Sequence, residues 1–262
     1  MIYVLTIAGS DSLGGAGIQA DIKTITSLGA HALTAISAIT AQNSIGVIAV
    51  HEVPEGFISL QMETVIEDRF PNAVKTGMLP TCSAVEEVAR VIKKNRFERL
   101  VVDPVINAST GRRLQEPSAV LSLKKLLLPL ARAVTPNLDE AGALVGEKVQ
   151  DLNEMEKAAK EIKELGPDVI VTGGHLEDRC VDLLYDGKDV HYFYGSKIET
   201  ENTHGSGCVF SASLATFLAM DHDVVEATRL AHDFTRRAIE KSYPCGHGAG
   251  VVSLLGKEGS SG

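Results

Sequence analysis

The sequence contains no tryptophan, and aromatic residues make up only 5% of it. Proteins that grip single-stranded nucleic acid stack bases on aromatic side chains, and few such platforms exist here. Positive charge is also in short supply: 25 Lys and Arg face 34 Asp and Glu, a formal net charge of -9. That balance opposes binding to a phosphate backbone or an anionic membrane. Neither nucleic acid nor a membrane is therefore an expected partner. A nucleotide is not excluded, because a bound metal ion can dominate the field inside a local site. Cysteine is scarce too. Cys82, Cys180, Cys208 and Cys245 are far apart and make no C-x-x-C, which argues against a zinc site or a thioredoxin motif. So few cysteines in so long a chain imply a reducing, cytoplasmic setting rather than a disulfide scaffold. No apolar run reaches membrane-spanning length. The N-terminus lacks a basic segment and meets the turn residues Gly9-Ser10-Asp11 too early for a signal peptide. Finally, there is no G-x-x-x-x-G-K-[ST], which excludes a P-loop kinase.

What is present is regular alternation. Short β-branched runs are separated by amphipathic stretches with helical spacing. Strands are predicted at Ile2–Ala8, Ala32–Thr40, Val47–Val53, Ala73–Thr76, Arg99–Val102, Ala133–Thr135 and Val169–Thr172. Helices are predicted at Ala16–Leu28, Pro54–Arg69, Thr81–Asn95, Ser118–Leu128, Leu138–Val145 and Asn153–Leu165. Cys180–Tyr185 and Val190–Tyr194 flank Asp186-Gly187 and read as a hairpin. Two helices follow, Gly207–Ala219 and Val224–Lys241, the second burying Val225, Thr228, Ala231, Phe234 and Ile239. The expected fold is therefore α/β: a mostly parallel central sheet, helices on both faces, and a β-hairpin near the C-terminal third. A single domain is expected over 1–255, with 256–262 a frayed polar tail.

In such sheets, ligands bind where loops leave the carboxyl ends of the strands. Ala8–Gly17 is glycine-rich and lets a ligand approach bare backbone, with Asp11 or Asp21 as acceptor. Gly15-x-Gly17-x-x-Ala20 fits a loose dinucleotide pattern, but it sits well past the strand and lacks the later acidic partner. Gln42-Asn43 follows the second strand, where an amide can read a heterocycle edge. Asp103-Pro104 ends another strand, and its carboxylate suits a hydrated Mg²⁺. Asn137 and Glu140 share a helical face; they suit either a metal held through water or a plain capping box. The Asn202-Thr203-His204-Gly205-Ser206-Gly207-Cys208 run carries the most weight. Its two glycines bare backbone N–H groups at a helix start, which makes an anion hole suited to phosphoryl transfer. In the first helical turn, the dipole is expected to lower the Cys208 thiol pKa.

These segments together resemble the ribokinase superfamily, and most closely its hydroxymethylpyrimidine/phosphomethylpyrimidine kinase branch in thiamine biosynthesis. The matching pieces are Leu5–Asp11, Gly14–Asp21, Thr40–Asn43, Lys75–Met78, Val101–Val105, Thr135–Asn137 with Glu140, Gly173–His175 and Asn202–Cys208, in family order along nearly the whole chain. The resemblance implies that Gly9, Ala16, Asp21, Gln42, Met78 and Val105 surround the pyrimidine. It implies that Asn137, Glu140, Thr172, Gly174 and Thr203 serve ATP, and that Asp103 and Glu140 serve Mg²⁺. It implies that Gly205, Ser206 and Gly207 form the anion hole and that Cys208 occupies the position of the catalytic base. A monovalent cation and a homodimer belong to the same expectation. The family usually has Thr at Ser206, and often Lys at Ser109, Thr172 and Glu201. Pyridoxal kinase, which shares the cysteine and a hydroxymethyl substrate, is the nearest alternative. A non-catalytic ligand-binding regulator and a pyridine-nucleotide enzyme are alternatives of other classes.

Overall fold

The computed structural model describes residues 1–108, 111–173 and 180–254. Nine strands form one sheet: β1 (Tyr3–Ser10), β2 (His31–Gln42), β3 (Val47–Glu52), β4 (Ala73–Thr76), β5 (Leu100–Val102), β6 (Ala133–Val134), β7 (Asp168–Gly173), β8 (Cys180–Tyr185) and β9 (Val190–Gly195). Their spatial order is β3-β2-β1-β4-β5-β6-β7-β8-β9. From β2 through β7 all neighbours are parallel. The two edges are antiparallel, β3 on β2 and the β8–β9 hairpin on β7. Central strands such as β1 are apolar on both faces because helices cover both faces.

The helices are α1 (Gly17–Ser27), α2 (Phe57–Asp68), α3 (Cys82–Asn95), α4 (Pro117–Ser122), α5 (Leu138–Val145), α6 (Leu152–Lys163), α7 (Ser206–Ala219) and α8 (Val224–Glu240). On one face, Met62, Val85, Val88, Leu144 and Met155 pack against the sheet. On the other, Ile25 of α1, Phe210 and Leu214 of α7 and Ala227 of α8 form a second core. Several boundaries follow from local chemistry. The Thr81 side chain accepts from the Ala84 amide and starts α3. Asn137 and Glu140 form a reciprocal capping box that starts α5.

Three expectations change. The helix predicted from Pro54 begins at Phe57, because Pro54–Gly56 form a turn with Gly56 left-handed. The helix predicted over Ser118–Leu128 is broken into α4, a π turn at Leu123–Leu127 and a 3₁₀ turn at Leu128–Leu130. Pro129 lacks the amide that a continuing α-helix needs, and the tighter turn accommodates it. The α8 face is rotated. Val224, Ala227, Ala231, His232 and Ala238 are buried, while Val225, Phe234 and Ile239 are half-buried. Small side chains let α8 approach its neighbours closely, and the larger ones are displaced to the flank.

The chain leaves β1 toward β2 on one side and returns to β4 on the other. The topological switch point therefore lies between β1 and β4, at their carboxyl ends. The starts of α1 and α7 meet there: a methyl group added at Gly205 would lie 1.8 Å from the Gly15 carbonyl oxygen.

Candidate phosphoryl-transfer site

Asp11 organises the first loop. Its carboxylate accepts from the amides of Leu13 (2.8 Å), Gly15 (3.0 Å) and Ala16 (2.8 Å) and lies 3.0 Å from His204 Nε2. Burial presses its pKa upward, but His204 and these amides outweigh that and hold it below the ordinary value. Ala16 is the N-cap residue of α1 and is half-buried. Gly9 is buried against Met78; a methyl group there would fall 2.5 Å from Met78 Cε. Met78 is in turn nearly buried, and its carbonyl accepts from the Ser37 hydroxyl at 2.6 Å.

Beneath this loop lies a fully buried ion pair that the sequence reading missed. Lys75, on β4, has its ammonium 2.9 Å from both Asp21 carboxylate oxygens and 3.8 Å from Asp103. Thr6 donates to Asp21 at 2.5 Å. Asp21 has no exposed surface. Its carboxylate is held by Lys75 and Thr6. Burial alone would lower the Lys75 pKa, yet Asp21, Cys208 and Asp103 raise it, so the ammonium stays charged. A single lysine inside the β-branched run Ala73–Thr76 was the available signal.

Asp103 leaves β5 beside Lys75, and the Ser211 hydroxyl of α7 lies 2.8 Å from it. Burial raises its pKa. Glu140 is also buried, and its carboxylate accepts from the Asn137 amide at 3.0 Å. Burial, and then the charge of Asp103, push Glu140 up to about 8. Asp103 and Glu140 thus press on each other electrostatically. Asn137 is exposed, and it pairs with Thr172 across an isolated bridge, so these two expected nucleotide residues meet. Val105 is half-buried just beyond Asp103. Gly174, Ser109 and His175 lie outside the described residues.

At the head of α7, Gly205 is left-handed with φ 88° and Thr203 accepts the Ser206 amide at 3.1 Å. No side chain caps this helix start, so its first-turn amides remain directed outward. A methyl group at Gly207 would meet nothing within 4 Å. The Cys208 thiol accepts from the Gly17 amide and lies in the field of Lys75, Asp21 and Asp103. The expected lowering of its pKa is reversed. Burial pushes the thiol up to about 12, and Lys75 offsets only part of this.

Across the site, Gln42 at the end of β2 is half-buried. Its amide lies 3.4 Å from His204 Nε2 and 3.3 Å from Thr40 Oγ1. A strap from Tyr243 to Ser253 ties the parts together. Ser44, in the β2–β3 turn, accepts from the His247 and Gly248 amides at 3.0 Å each. Gly250 donates to Asn202 at 3.2 Å and its carbonyl accepts from His204 at 3.1 Å. Two cavities among the described residues lie elsewhere. One, of about 310 Å³, is beside α5 at Gly142 and Lys148; the other, of about 200 Å³, is between β2–β3 and α3. The chemistry sits on the open carboxyl edge of the sheet.

A sheet of this order, with a glycine-bared helix start facing the switch point, has the architecture of the ribokinase-like kinases. Known proteins agree. The family model described as phosphomethylpyrimidine kinase matches residues 11–253, and the chain belongs to that family. It is 43% identical over 252 residues to the hydroxymethylpyrimidine/phosphomethylpyrimidine kinase of Bacillus subtilis, covering 95% of this chain and 93% of that one. It is 42% identical over 254 residues to a bifunctional thiamine biosynthesis protein of Geobacter sulfurreducens, covering 96% of this chain but 52% of that longer one. Among solved structures, the ADP complex of Bacillus subtilis pyridoxal kinase superposes with TM-score 0.91 and 38% identity, over 97% of both chains.

Proposed function

We propose that the protein transfers the γ-phosphoryl group of ATP to the hydroxymethyl group of 4-amino-5-hydroxymethyl-2-methylpyrimidine, and then phosphorylates the monophosphate to the diphosphate, within thiamine biosynthesis. The observation that carries this reading is the Cys208 thiol at the head of α7, beside the Lys75–Asp21 pair and Asp103, in a chain of this family. The hydroxymethyl oxygen forms a bond to the γ-phosphorus while the bond to the bridging oxygen breaks and ADP departs. The alcohol proton passes to the Cys208 thiolate, which Lys75 stabilises. The amides of Gly205, Ser206 and Gly207 receive the charge on the transferring group.

Asp103 and Glu140 fit Mg²⁺. Their mutual repulsion, visible in the raised Glu140, is relieved by a divalent cation. Among the described residues, no group of three or more His, Cys, Asp or Glu gathers to hold a metal. That also fits, because Mg²⁺ is commonly held by one or two carboxylates with phosphate oxygens and water. Bound there, the ion would neutralise charge on the β- and γ-phosphates. Asn137, Thr172, Gly174 and Thr203 would face the nucleotide. Gln42, Met78, Val105, Gly9 and Ala16 would surround the ring. The second phosphorylation is the step most exposed to the absence of lysine at Ser109, Thr172 and Glu201.

All four cysteines are free, which supports a reducing cytoplasmic setting, and no described helix is long and apolar enough to cross a membrane. Ile39, Ile45 and Ile48 of the β2–β3 hairpin are exposed, which supports a homodimer through that edge. The likeness to a pyridoxal kinase favours pyridoxal as a second acceptor. ATP consumption across the pyrimidine, its monophosphate and pyridoxal tests these readings. Turnover of neither pyrimidine, with efficient turnover of another alcohol, would reject the main one.

A further inference from the structure

The surroundings of Gln42 determine which end of its amide faces which neighbour. As placed, Nε2 lies 3.4 Å from His204 Nε2 and Oε1 lies 3.3 Å from Thr40 Oγ1. The protons of both neighbours are already committed. Asp11 Oδ2 is a carboxylate oxygen that only accepts, and it lies 3.0 Å from His204 Nε2. That imidazole nitrogen therefore carries its hydrogen and has no lone pair to offer. Thr40 has one hydroxyl hydrogen, and the Ser10 carbonyl, also an acceptor only, takes it at 2.9 Å. An NH₂ group facing His204 would meet another N–H. An amide oxygen facing Thr40 would meet only lone pairs. Both conflicts are relieved if the amide is turned by half a rotation: its oxygen then takes the longer branch of a three-centre hydrogen bond from His204 Nε2–H, whose shorter branch goes to Asp11, and its nitrogen donates to Thr40. The two ends of an amide have nearly the same shape, so the hydrogen-bond network decides between them.

We propose that His204, held by Asp11, is a specificity-determining positioning residue that locks the Gln42 amide with its oxygen toward His204 and its nitrogen toward Thr40. The inference rests on the reading of Gln42 as the group that meets the pyrimidine. A locked amide presents one remaining lone pair and one remaining N–H in a fixed order. The 4-aminopyrimidine edge presents an amino donor beside a ring-nitrogen acceptor. The 4-oxo analogue presents a carbonyl acceptor beside a ring N–H, the reverse order. Because the hydroxymethyl group must point at Cys208, the ring cannot turn over to compensate. An amide free to rotate would accommodate both rings, whereas a locked one rejects the second, since a mismatched polar contact is left unpaired.

The test compares kcat/KM for the 4-amino and 4-oxo forms of the hydroxymethylpyrimidine in the native protein, His204→Leu, His204→Gln and Gln42→Ala. His204→Leu should shrink the preference for the amino form by about tenfold or more, with KM for ATP unchanged. His204→Gln, which retains an N–H donor, should restore most of the preference. A native preference in His204→Leu, with its loss in Gln42→Ala, would overturn the lock while leaving the pyrimidine reading standing. A native preference in Gln42→Ala as well would remove the reading on which the lock depends. Should His204→Leu fail to fold, neutron diffraction from deuterated native crystals decides. Deuterium on the amide atom facing Thr40 supports the lock, and deuterium on the atom facing His204 overturns it.

Discussion

The Lys75 ammonium sits 2.9 Å from both carboxylate oxygens of Asp21, and neither side chain has any exposed surface. Removing one member leaves the other as an uncompensated buried charge, which costs roughly 3–5 kcal/mol. Lys75→Met should therefore lower the unfolding free energy by about that much and abolish turnover. Adding Asp21→Asn should recover most of the stability and none of the activity. Chemical denaturation of the three proteins checks this, and a loss well under about 1 kcal/mol for Lys75→Met would contradict the buried pair.

The Cys208 thiol, pushed up to about 12, keeps its proton near neutral pH. If its thiolate receives the alcohol proton, the reactive fraction grows as pH rises toward that value. kcat/KM for the pyrimidine should still be climbing at about pH 9 in the native protein. Cys208→Asp should move the rising limb to lower pH. A native plateau already reached below about pH 8 would remove Cys208 from the base role.

Glu140 gives a second pH dependence, of opposite benefit. Its folded pKa is raised from 4.5 to about 8, so the protonated form is the one that folding favours. Its contribution to stability is complete below about pH 4.5 and is lost as pH rises through about 8. Glu140→Gln keeps an acceptor for the Asn137 amide and carries no charge. At pH 8 it should melt at least a few degrees higher than the native protein, while losing most activity with Mg-ATP. The gain should vanish at about pH 4.5, as calorimetry across pH would show.

Two glycines two residues apart in the same turn, Gly205 and Gly207, should respond oppositely in folding. Gly205→Ala forces a methyl group to 1.8 Å from the Gly15 carbonyl at a φ of 88°, and the protein should be strongly destabilised. Gly207→Ala projects its methyl into space empty to 4 Å. It should fold normally but transfer phosphate at least about tenfold more slowly, because the methyl group occupies the approach to the helix amides. Normal turnover in Gly207→Ala would place the γ-phosphate elsewhere.

Much of this was legible in the residues because local chemistry set it. Ala73–Thr76, the Thr81 cap and the Asn137–Glu140 box each carry their own signal, and the strand–helix alternation dictated a parallel sheet. The glycine-bared start of α7 was equally plain. What stayed hidden depends on distance in the chain. Asp11 and His204 are 193 residues apart, and nothing local marks them as partners. A carboxylate in a helix, such as Asp21, gives no hint of the buried lysine that it pairs with. The Cys208 thiol misled for the same reason: a helix start is visible in sequence, whereas the burial and the two nearby carboxylates that outweigh it are not. The rotated face of α8 reflects close helix packing, which selects small residues that a hydrophobic pattern underweights.

The strap from Tyr243 to Ser253 holds Ser44, Asn202 and His204 in place. In chain order it follows every residue assigned to the chemistry. A chain halted at Lys241 would already contain Cys208, Lys75 and Gln42, yet it would lack the strap's contacts to Ser44, Asn202 and His204. The strap thus adds a second connection between the hairpin and the helix start.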